Sequence, residues 1–402
     1  MKILRSDLCK VVQRQRAAVI TFFFCWASLQ ISAEIPIIAF GGVPAHESTA
    51  ERFKEFREAG FDVSIEHYWD TPPQQLRNIL DIAHNESVRI MLKSRLLTEH
   101  PEKVAPYIKG HPALFAYYLE DEPYPATMNE TIDLYNKVRK ADTTTRCYIN
   151  LLPTYGIERD PNEQSSTYND YLQQASRMNL PQISFDHYPI RDEGIRPDWY
   201  RNLEAVRRES LRTKKPFWAF VLCTPHVYYP QPTLASLRLQ IYSNLAYGAQ
   251  AIQYFTYWTP KPDDDYNYHD GPISLDGNRT KTYNLVKTMN LELRKILPLF
   301  DGAKVESVRH LLNIPNGTTK ADKLPLNITK LKVKGKKGCI LSTFKNGQHR
   351  YLAIVNKDHI SPMTLTIRTR KGVVMINKSL QERVPSSSYQ VSGGDMLLFR
   401  LS

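Results

Sequence analysis

Cysteine is scarce in this sequence, which has 402 residues and only five Cys. Two of the five lie in the N-terminal 33 residues, and Cys147, Cys223 and Cys339 are widely spaced over the rest of the chain. A disulfide framework or a thiolate metal site needs several cysteines at short, regular spacings. The sequence therefore predicts neither a disulfide-rich scaffold nor a bound metal. No base is placed beside Cys223, so we do not predict a thiol nucleophile.

A glycine-rich phosphate-binding turn is also missing. The first strand-like run ends in Gly41-Gly42-Val43-Pro44, which does not follow the GxGxxG pattern that binds a dinucleotide. The net charge of +12 is spread thinly and is not interleaved with aromatic residues, and its densest basic run is residues 330–337. Such a run is typical of a solvated hairpin face rather than of a nucleic-acid site. We therefore predict no cofactor and no nucleic-acid partner.

The first 33 residues have the composition of a targeting segment. A basic region ending at Arg16 precedes a short apolar run, residues 17–29, and Ile31-Ser32-Ala33 is a suitable cleavage site. These are the parts of a secretory signal peptide, and the apolar run is short for a membrane span. The sequence predicts a secreted or periplasmic protein that is free of the membrane after cleavage. A retained signal anchor is the alternative.

Beyond this segment, strand-like and helix-like runs alternate eight times. The strand-like runs are 35–40, 62–65, 88–92, 114–119, 146–152, 182–185, 216–222 and 250–257. Eight such units in about 260 residues are typical of a (β/α)8 barrel. Shorter alternating runs with turn sequences such as Asn346-Gly347 follow, as in an antiparallel sheet. We predict an α/β fold in three parts: a signal peptide (1–33), a TIM barrel (34–300) and a small C-terminal antiparallel β domain (301–402), resembling a sandwich.

The fourth strand-like run ends in three consecutive carboxylates, Glu120, Asp121 and Glu122, before Pro123. In a TIM barrel, catalytic side chains follow the C-terminal ends of the strands. Adjacent carboxylates repel one another, which raises at least one pKa and allows a carboxylic acid to donate a proton near neutral pH. The sequence therefore predicts an active site here, and a solvated acidic loop is the alternative.

Other strand ends carry polar and aromatic residues of the kinds that bind sugars. They are Glu66, His67 and Tyr68 after the second strand, Asp186, His187 and Tyr188 after the sixth, and Tyr254 and Trp258 at the eighth. We predict that these residues and Glu120 contribute to substrate binding at one mouth, with Tyr254 and Trp258 stacking on a sugar. The acidic segment 263–270 is interpreted as a long loop that covers the substrate rather than as a metal loop.

Two segments resemble the glycoside hydrolases of clan A. Asp121-Glu122-Pro123 is similar to their Asn-Glu-Pro ending of strand four, in which the Glu is the acid/base. Residues 248–258 (GAQAIQYFTYW) and 273–277 (ISLDG) resemble strand eight and the following loop of family 42 β-galactosidases. The resemblance covers the barrel, residues 35–297. It implies a glycoside hydrolase that acts on a β-linked oligo- or polysaccharide, with Glu122 as general acid/base.

The chain departs from that family at strand seven, where Leu222-Cys223-Thr224 replaces the ending that carries the nucleophilic Glu. Asp186 could act as nucleophile or base, with Glu122 as the acid. Alternatively, Asp121-Glu122 resembles the Asp-Glu pair of family 20 hexosaminidases, in which the acetamido group of the substrate attacks. A miscounted strand, or a contribution from Glu66, is the third alternative. A catalytically silent barrel that binds carbohydrate is the alternative to any enzyme.

Overall fold

The computed structural model describes residues 35–158 and 167–402. The predicted signal peptide lies outside these residues, so export stays a prediction. Among the described helices, none combines the length and the apolar character that a bilayer span requires.

Eight parallel strands form the first part of the fold. They are β1 (Ile37–Phe40), β2 (Val63–His67), β3 (Arg89–Lys93), β4 (Leu114–Asp121), β5 (Cys147–Asn150), β6 (Ile183–Phe185), β7 (Phe217–Leu222) and β8 (Ile252–Phe255). Their order in the sheet is β5-β4-β3-β2-β1-β8-β7-β6. A bridge between Leu151 and Phe185 joins the two outer strands and nearly closes the barrel. The predicted TIM barrel is confirmed.

Helices surround the barrel and connect its strands. Those of the described ranges are α1 (Ala50–Glu58), α2 (Pro73–Asn85), α3 (Arg95–Glu99), α4 (Pro101–Ile108), α5 (Met128–Ala141), α6 (Thr154–Ile157), α7 (Tyr168–Ala175), α8 (Trp199–Thr213), α9 (Leu234–Tyr247) and α10 (Lys281–Phe300). Local sequence fixes several starts: the Thr49 hydroxyl accepts the Arg52 N–H at α1, and Thr233 forms a capping box at α9. Such caps satisfy backbone donors that have no partner inside the helix.

The barrel interior is filled by side chains. The barrel therefore can receive a ligand at its mouth but not along its axis. Inward-facing residues of successive strands, including Ile65, Met91, Tyr118, Tyr148 and Trp218, form one apolar cluster. Successive side chains of a strand point to opposite faces, so the alternate residues pack against the helices instead.

The C-terminal part is built from antiparallel strands. They are β9 (Lys304–Leu311), β10 (Ile328–Lys334), β11 (Cys339–Asn346), β12 (His349–Asn356), β13 (Met363–Thr369), β14 (Val374–Ile376), β15 (Glu382–Arg383), β16 (Ser388–Val391) and β17 (Met396–Arg400). One sheet has the order β9-β11-β12-β17-β14-β15 and the other β10-β13-β16. Leu341, Leu352 and Phe399 of the first sheet share an apolar cluster with Leu365 and Ile367 of the second. The predicted C-terminal β domain is confirmed, and its two sheets enclose an apolar layer.

The outer face of the larger sheet packs on the barrel helices. Ile340 and Phe344 belong to the same buried cluster as the barrel shell, and the Phe344 ring stacks on Phe300 of α10 at 4.9 Å between centroids. The Ser342 hydroxyl donates to the Ala246 carbonyl of α9 at 2.6 Å. The described parts of the barrel and the β domain therefore form one compact unit with a shared core.

A chain that ends at Leu297 is expected to lose solubility. Its truncation removes the sheet that covers α9 and α10 and exposes a large apolar surface, which promotes aggregation. Soluble yield and thermal melting measure the effect, and a chain that lacks only residues 1–33 is the control. A soluble truncated chain with unchanged melting would show that the β domain is an independent module.

Candidate active site

The end of β4 is irregular, and this irregularity places Glu122. Tyr118 pairs with Tyr148, and the next paired residue of β4 is Glu120, so Leu119 is bulged out of the ladder. Glu122 then adopts a left-handed backbone conformation with φ of 48°, which costs a non-glycine residue about 1–3 kcal/mol. Bulges and strained residues of this kind redirect side chains next to functional sites. Here they direct Glu122 into a cleft at the barrel mouth.

The cleft has a volume of about 350 Å³. It contains three carboxyl groups and one amide, from Asp121, Glu122, Asp186 and Asn150. The rest of its lining is mostly aromatic: Phe40, Tyr155, Tyr188, Phe220, His226, Tyr228, Tyr229, Phe255, Tyr266 and Tyr268, with Leu152 and Pro153. A polar floor between aromatic walls suits a ligand that is both apolar on its faces and polar at its edges.

A hydrogen-bond network holds the carboxyl groups together. Glu122 and Asp186 are hydrogen-bonded to each other. The Asn150 amide donates to Asp186 at 3.0 Å and also bonds to Asp121. The Asn150 carbonyl oxygen accepts from the Ser184 hydroxyl at 3.0 Å, which fixes the orientation of the amide. Asn150 therefore links Asp121 to the Glu122–Asp186 pair through hydrogen bonds.

The pKa values of these groups are raised. Burial raises the pKa of Asp186 well above its ordinary value, and the charge of Glu122 adds to the effect. Burial also raises the pKa of Glu122. For Asp121, burial and repulsion by Glu122 raise the pKa to about 6, against the hydrogen bonds of Tyr118 and Asn150. Two neighbouring carboxyl groups cannot both ionise easily, so the Glu122–Asp186 pair keeps its last proton to a higher pH than a single exposed carboxyl group would.

This pair should make the stability of the fold depend on pH. Because the folded-state pKa values are raised, the folded protein binds protons more tightly than the unfolded chain, and its stability falls as pH rises through them. We expect the free energy of unfolding to decrease from pH 5 to pH 8 more steeply in the wild type than in Asp186→Asn, which keeps an acceptor for Asn150. Urea unfolding at several pH values measures both slopes. Asp264→Asn, in an exposed loop, should keep the wild-type slope; identical slopes in all three proteins would contradict the raised pKa values.

Four predicted site residues lie in this cleft: Asp121, Glu122, Asp186 and Tyr188. The residues at the end of β2 and directly after it, Glu66, His67 and Tyr68, do not line it. Tyr68 is fully buried in the main core, and Glu66, whose pKa burial raises to about 7, accepts the His67 N–H at 2.7 Å. The His67 ring packs beside Phe40, with 5.8 Å between centroids. His67 therefore contacts a residue of the cleft wall.

Two further predicted site residues, Glu120 and His187, bond to other side chains and do not line the cleft. Glu120 forms a salt bridge with Lys93 at 2.9 Å and does not line the cleft. His187 is buried, bonds to Asp198 at 3.3 Å through Nε2, and lies 5.0 Å from the Tyr155 ring. His187 therefore supports a wall residue rather than facing a ligand.

The predicted sugar-stacking role of Tyr254 and Trp258 needs correction. Tyr254 is fully buried in the barrel shell, with its ring edge-on to Phe61 at 5.3 Å. Trp258 is also buried, and the Arg52 guanidinium covers its ring at 5.2 Å. Tyr254 points outward because its neighbour Phe255 faces the cleft, and adjacent residues of a strand face opposite ways.

The cleft walls also contain residues that were not individually predicted from the sequence, among them Tyr266 and Tyr268 of the predicted covering loop. In all, these residues are Phe40, Asn150, Tyr155, Phe220, His226, Tyr228, Tyr229, Phe255, Tyr266 and Tyr268. Half of them, His226, Tyr228, Tyr229, Tyr266 and Tyr268, lie in the loops after β7 and β8, where a high density of aromatic residues was the available signal. His226 stands beyond the end of β7, with its ring 4.7 Å from Tyr268 and 4.8 Å from Tyr229. Within the described ranges, the cleft receives no carboxylate from the end of β7, and no group of metal-binding side chains is assembled.

No protein-family model matches the chain, and no curated protein matches it. Solved structures do match its fold. A catalytic mutant of Gan42B, a GH42 β-galactosidase from G. stearothermophilus, is 9% identical with a TM-score of 0.61, over 92% of this chain and 98% of that one. The β-galactosidase from Bacillus circulans sp. alkalophilus is 10% identical with a TM-score of 0.58, over 91% of this chain and 99% of that one.

The similarity to larger enzymes is partial. The β-galactosidase from the psychrophilic Marinomonas ef1 is 12% identical with a TM-score of 0.48, and the chain spans 60% of its length and aligns over 66% of its own. At such identities a comparison shows the fold alone. The chain shares its fold with these solved β-galactosidases, and the predicted resemblance to family 42 is confirmed at the level of fold.

Proposed function

We propose that the protein hydrolyses glycosidic bonds in a β-linked oligo- or polysaccharide, with Glu122 as general acid/base. The observation that carries this proposal is the hydrogen-bonded pair of Glu122 and Asp186 in an aromatic cleft at the barrel mouth. The fold, shared with solved β-galactosidases, supports it. Export through the predicted signal peptide would bring the protein to extracellular or periplasmic glycans and belongs to the same proposal.

The raised pKa values of the pair support a role in glycoside hydrolysis. One carboxyl group must give a proton to the leaving oxygen while a second, ionised group acts as nucleophile or base. A buried pair that shares one proton supplies both forms. Glu122 is the donor in this proposal, since it is the more exposed of the two to the cleft. Asp186, held by Asn150 at 3.0 Å, is the second group.

The walls of the cleft suit a saccharide. Aromatic rings pack on the apolar faces of sugars, while hydroxyl groups at the sugar edges bond to polar side chains. Tyr266 and Tyr268 stack on each other at 5.4 Å between centroids and line the cleft from the loop after β8. The sequence predicts that this loop, residues 263–270, covers the substrate.

A substrate-assisted route is a second candidate. Asp121 is open to the cleft beside Glu122, where it could orient an acetamido group. This route would need no protein nucleophile and would restrict the substrates to acetamido sugars.

Hydrolysis of a glycan panel tests the proposal. The panel contains β-linked neutral and acetamido glycans with α-linked counterparts, and reducing ends are measured for the wild type and Glu122→Gln. Cleavage of β-linked members by the wild type alone supports the proposal. Cleavage confined to acetamido members supports the substrate-assisted route. Binding of a member without cleavage would indicate a catalytically silent carbohydrate-binding barrel.

A further inference from the structure

A buried arginine supports one wall of the cleft. Arg196 follows a short hairpin, Ile190–Arg191 with Gly194–Ile195, and is only 4% exposed. Its guanidinium donates to the hydroxyl oxygens of Tyr228 at 3.1 Å and Tyr229 at 3.2 Å. The same group lies over the face of Tyr155, 4.0 Å from the ring centre. All three tyrosines line the cleft.

The charge of Arg196 lacks a carboxylate partner in the part of the chain that the structure describes. There, its side chain hydrogen-bonds to the two phenols, and its Nε has no partner. Asp198, two residues along the chain, instead bonds to His187 at 3.3 Å and Thr154 at 2.6 Å. A buried cation without a counter-ion is costly. Its presence beside a binding cleft is explained if the ligand supplies the negative charge.

Tyr228 and Tyr229 both bond to Arg196 and line the cleft, so they connect the Arg196 charge to the binding site. Because its oxygen already accepts from Arg196, the hydroxyl hydrogen of Tyr228 is available to donate to a ligand, whereas the Tyr229 hydroxyl also hydrogen-bonds to Tyr155. Arg191 lies behind Tyr228, 6.0 Å from its ring centre, but its charge is paired with Glu193 at 3.6 Å, so the positive field at this wall comes from Arg196. A wall of donors in a positive field favours a group that offers only acceptors, and bonds to a charged acceptor are stronger than neutral ones.

We propose that Tyr155, Tyr228 and Tyr229, backed by Arg196, form a subsite for an acidic sugar, one that carries a carboxylate or a sulfate. This inference rests on the proposed function, because it places a glycan in the cleft, and it names the substrate class. The Tyr155 ring also packs on His187, which adjoins Asp186 in the chain. The acidic unit therefore lies next to the carboxyl pair and not at a distant site.

Binding measurements on the full chain test the subsite without turnover. The Glu122→Gln protein is titrated with methyl β-D-glucuronide and with methyl β-D-galactoside 6-sulfate, each against its neutral counterpart. We expect at least one acidic sugar to bind about tenfold or more tightly than the neutral one, because a hydrogen bond to a charged acceptor is stronger than one to a neutral acceptor. The two acidic ligands distinguish a carboxylate from a sulfate site. If neither is preferred over its neutral form, the inference is wrong.

Substitutions then assign the preference to this wall. Arg196→Gln should bring the acidic-to-neutral ratio close to one, and Tyr228→Phe should reduce it severalfold. Tyr228 is 44% exposed, so its variant keeps the test valid if Arg196→Gln does not fold. Tyr107→Phe, at an exposed position on α4, should keep the ratio. A ratio that neither Arg196→Gln nor Tyr228→Phe changes overturns the inference.

The subsite and the proposed function can fail separately. Cleavage of neutral glycans with no acidic preference would overturn the subsite and leave the function. Tight binding of an acidic sugar that depends on Tyr228, without cleavage of any glycan, would support the subsite and reject the hydrolase.

Discussion

Glu122→Gln is expected to lower the turnover of an unactivated glycan by about 10²- to 10⁴-fold, the usual contribution of general acid catalysis. Glutamine keeps the shape of the side chain and can still hydrogen-bond to Asp186, but it has no proton to give to the leaving oxygen. The left-handed backbone at Glu122 is unaffected, so the fold should be retained. Initial rates on a natural glycan, with thermal melting as a check on folding, measure the effect.

The dependence on the leaving group separates acid catalysis from a structural role. An aryl glycoside with an acidic phenol needs little protonation, so its hydrolysis should fall far less than that of the natural glycan. A binding or folding defect would lower both rates alike. Glu130→Gln, at an exposed position in the first turn of α5, is the matched control and should keep wild-type rates. Undiminished cleavage of a natural glycan by Glu122→Gln would remove the hydrolase proposal.

The same substitution should also change the pH profile. A general acid must be protonated, so wild-type activity should fall as pH rises through the raised pKa of the carboxyl pair. Activity should also fall at low pH, where the second carboxyl group becomes protonated. In Glu122→Gln, hydrolysis of an aryl glycoside should lose the high-pH limb and keep the low-pH limb, as measured from kcat/KM between pH 4 and 9.

Patterns with a regular period allowed the fold to be predicted from sequence. The eight apolar runs had the length of buried strands, and the change to short alternating runs after the barrel marked the β domain. The same logic located Glu122 and Asp186, because strand ends of a barrel meet at one mouth. Tyr254 shows the limit of this reasoning. It lies at the correct end of its strand, but the face it occupies depends on the register, which a continuous apolar run does not reveal.

The rest of the site depends on contacts that no local pattern encodes. Asn150 holds two carboxyl groups only because β4, β5 and β6 are adjacent. Tyr228 and Arg196 are 32 residues apart and meet through two loops, whose course sequence periodicity does not specify. The bulge at Leu119 and the strained backbone of Glu122 are set by packing around β4. These features follow from tertiary structure rather than from residue type.

The separation of the two carboxyl groups bears on the stereochemistry. Retaining glycosidases place them about 5 Å apart, whereas inverting enzymes leave about 6.5–9.5 Å so that water fits between one carboxylate and the sugar. Glu122 and Asp186 are close enough to share a hydrogen bond, so opening the pair by a small amount on substrate binding reaches the retaining distance first. We expect the first product released from a β-linked glycan to be the β-anomer, as detected by proton NMR before mutarotation.

Asp186→Ala is expected to lose activity at least as severely as Glu122→Gln, if Asp186 is the nucleophile. The alanine leaves room for a small anion, so added azide should restore part of the rate on an aryl glycoside and yield a glycosyl azide of inverted configuration. Azide should also accelerate Glu122→Gln on that substrate, because it attacks the glycosyl-enzyme without a general base, but the glycosyl azide formed there keeps the configuration of the substrate. The substrate-assisted route predicts a different pattern: only acetamido sugars are cleaved, azide has no effect on Asp186→Ala, and Asp121→Asn causes the greater loss. An α-anomer as the first product would exclude both routes, because each proceeds through two displacements at the same carbon.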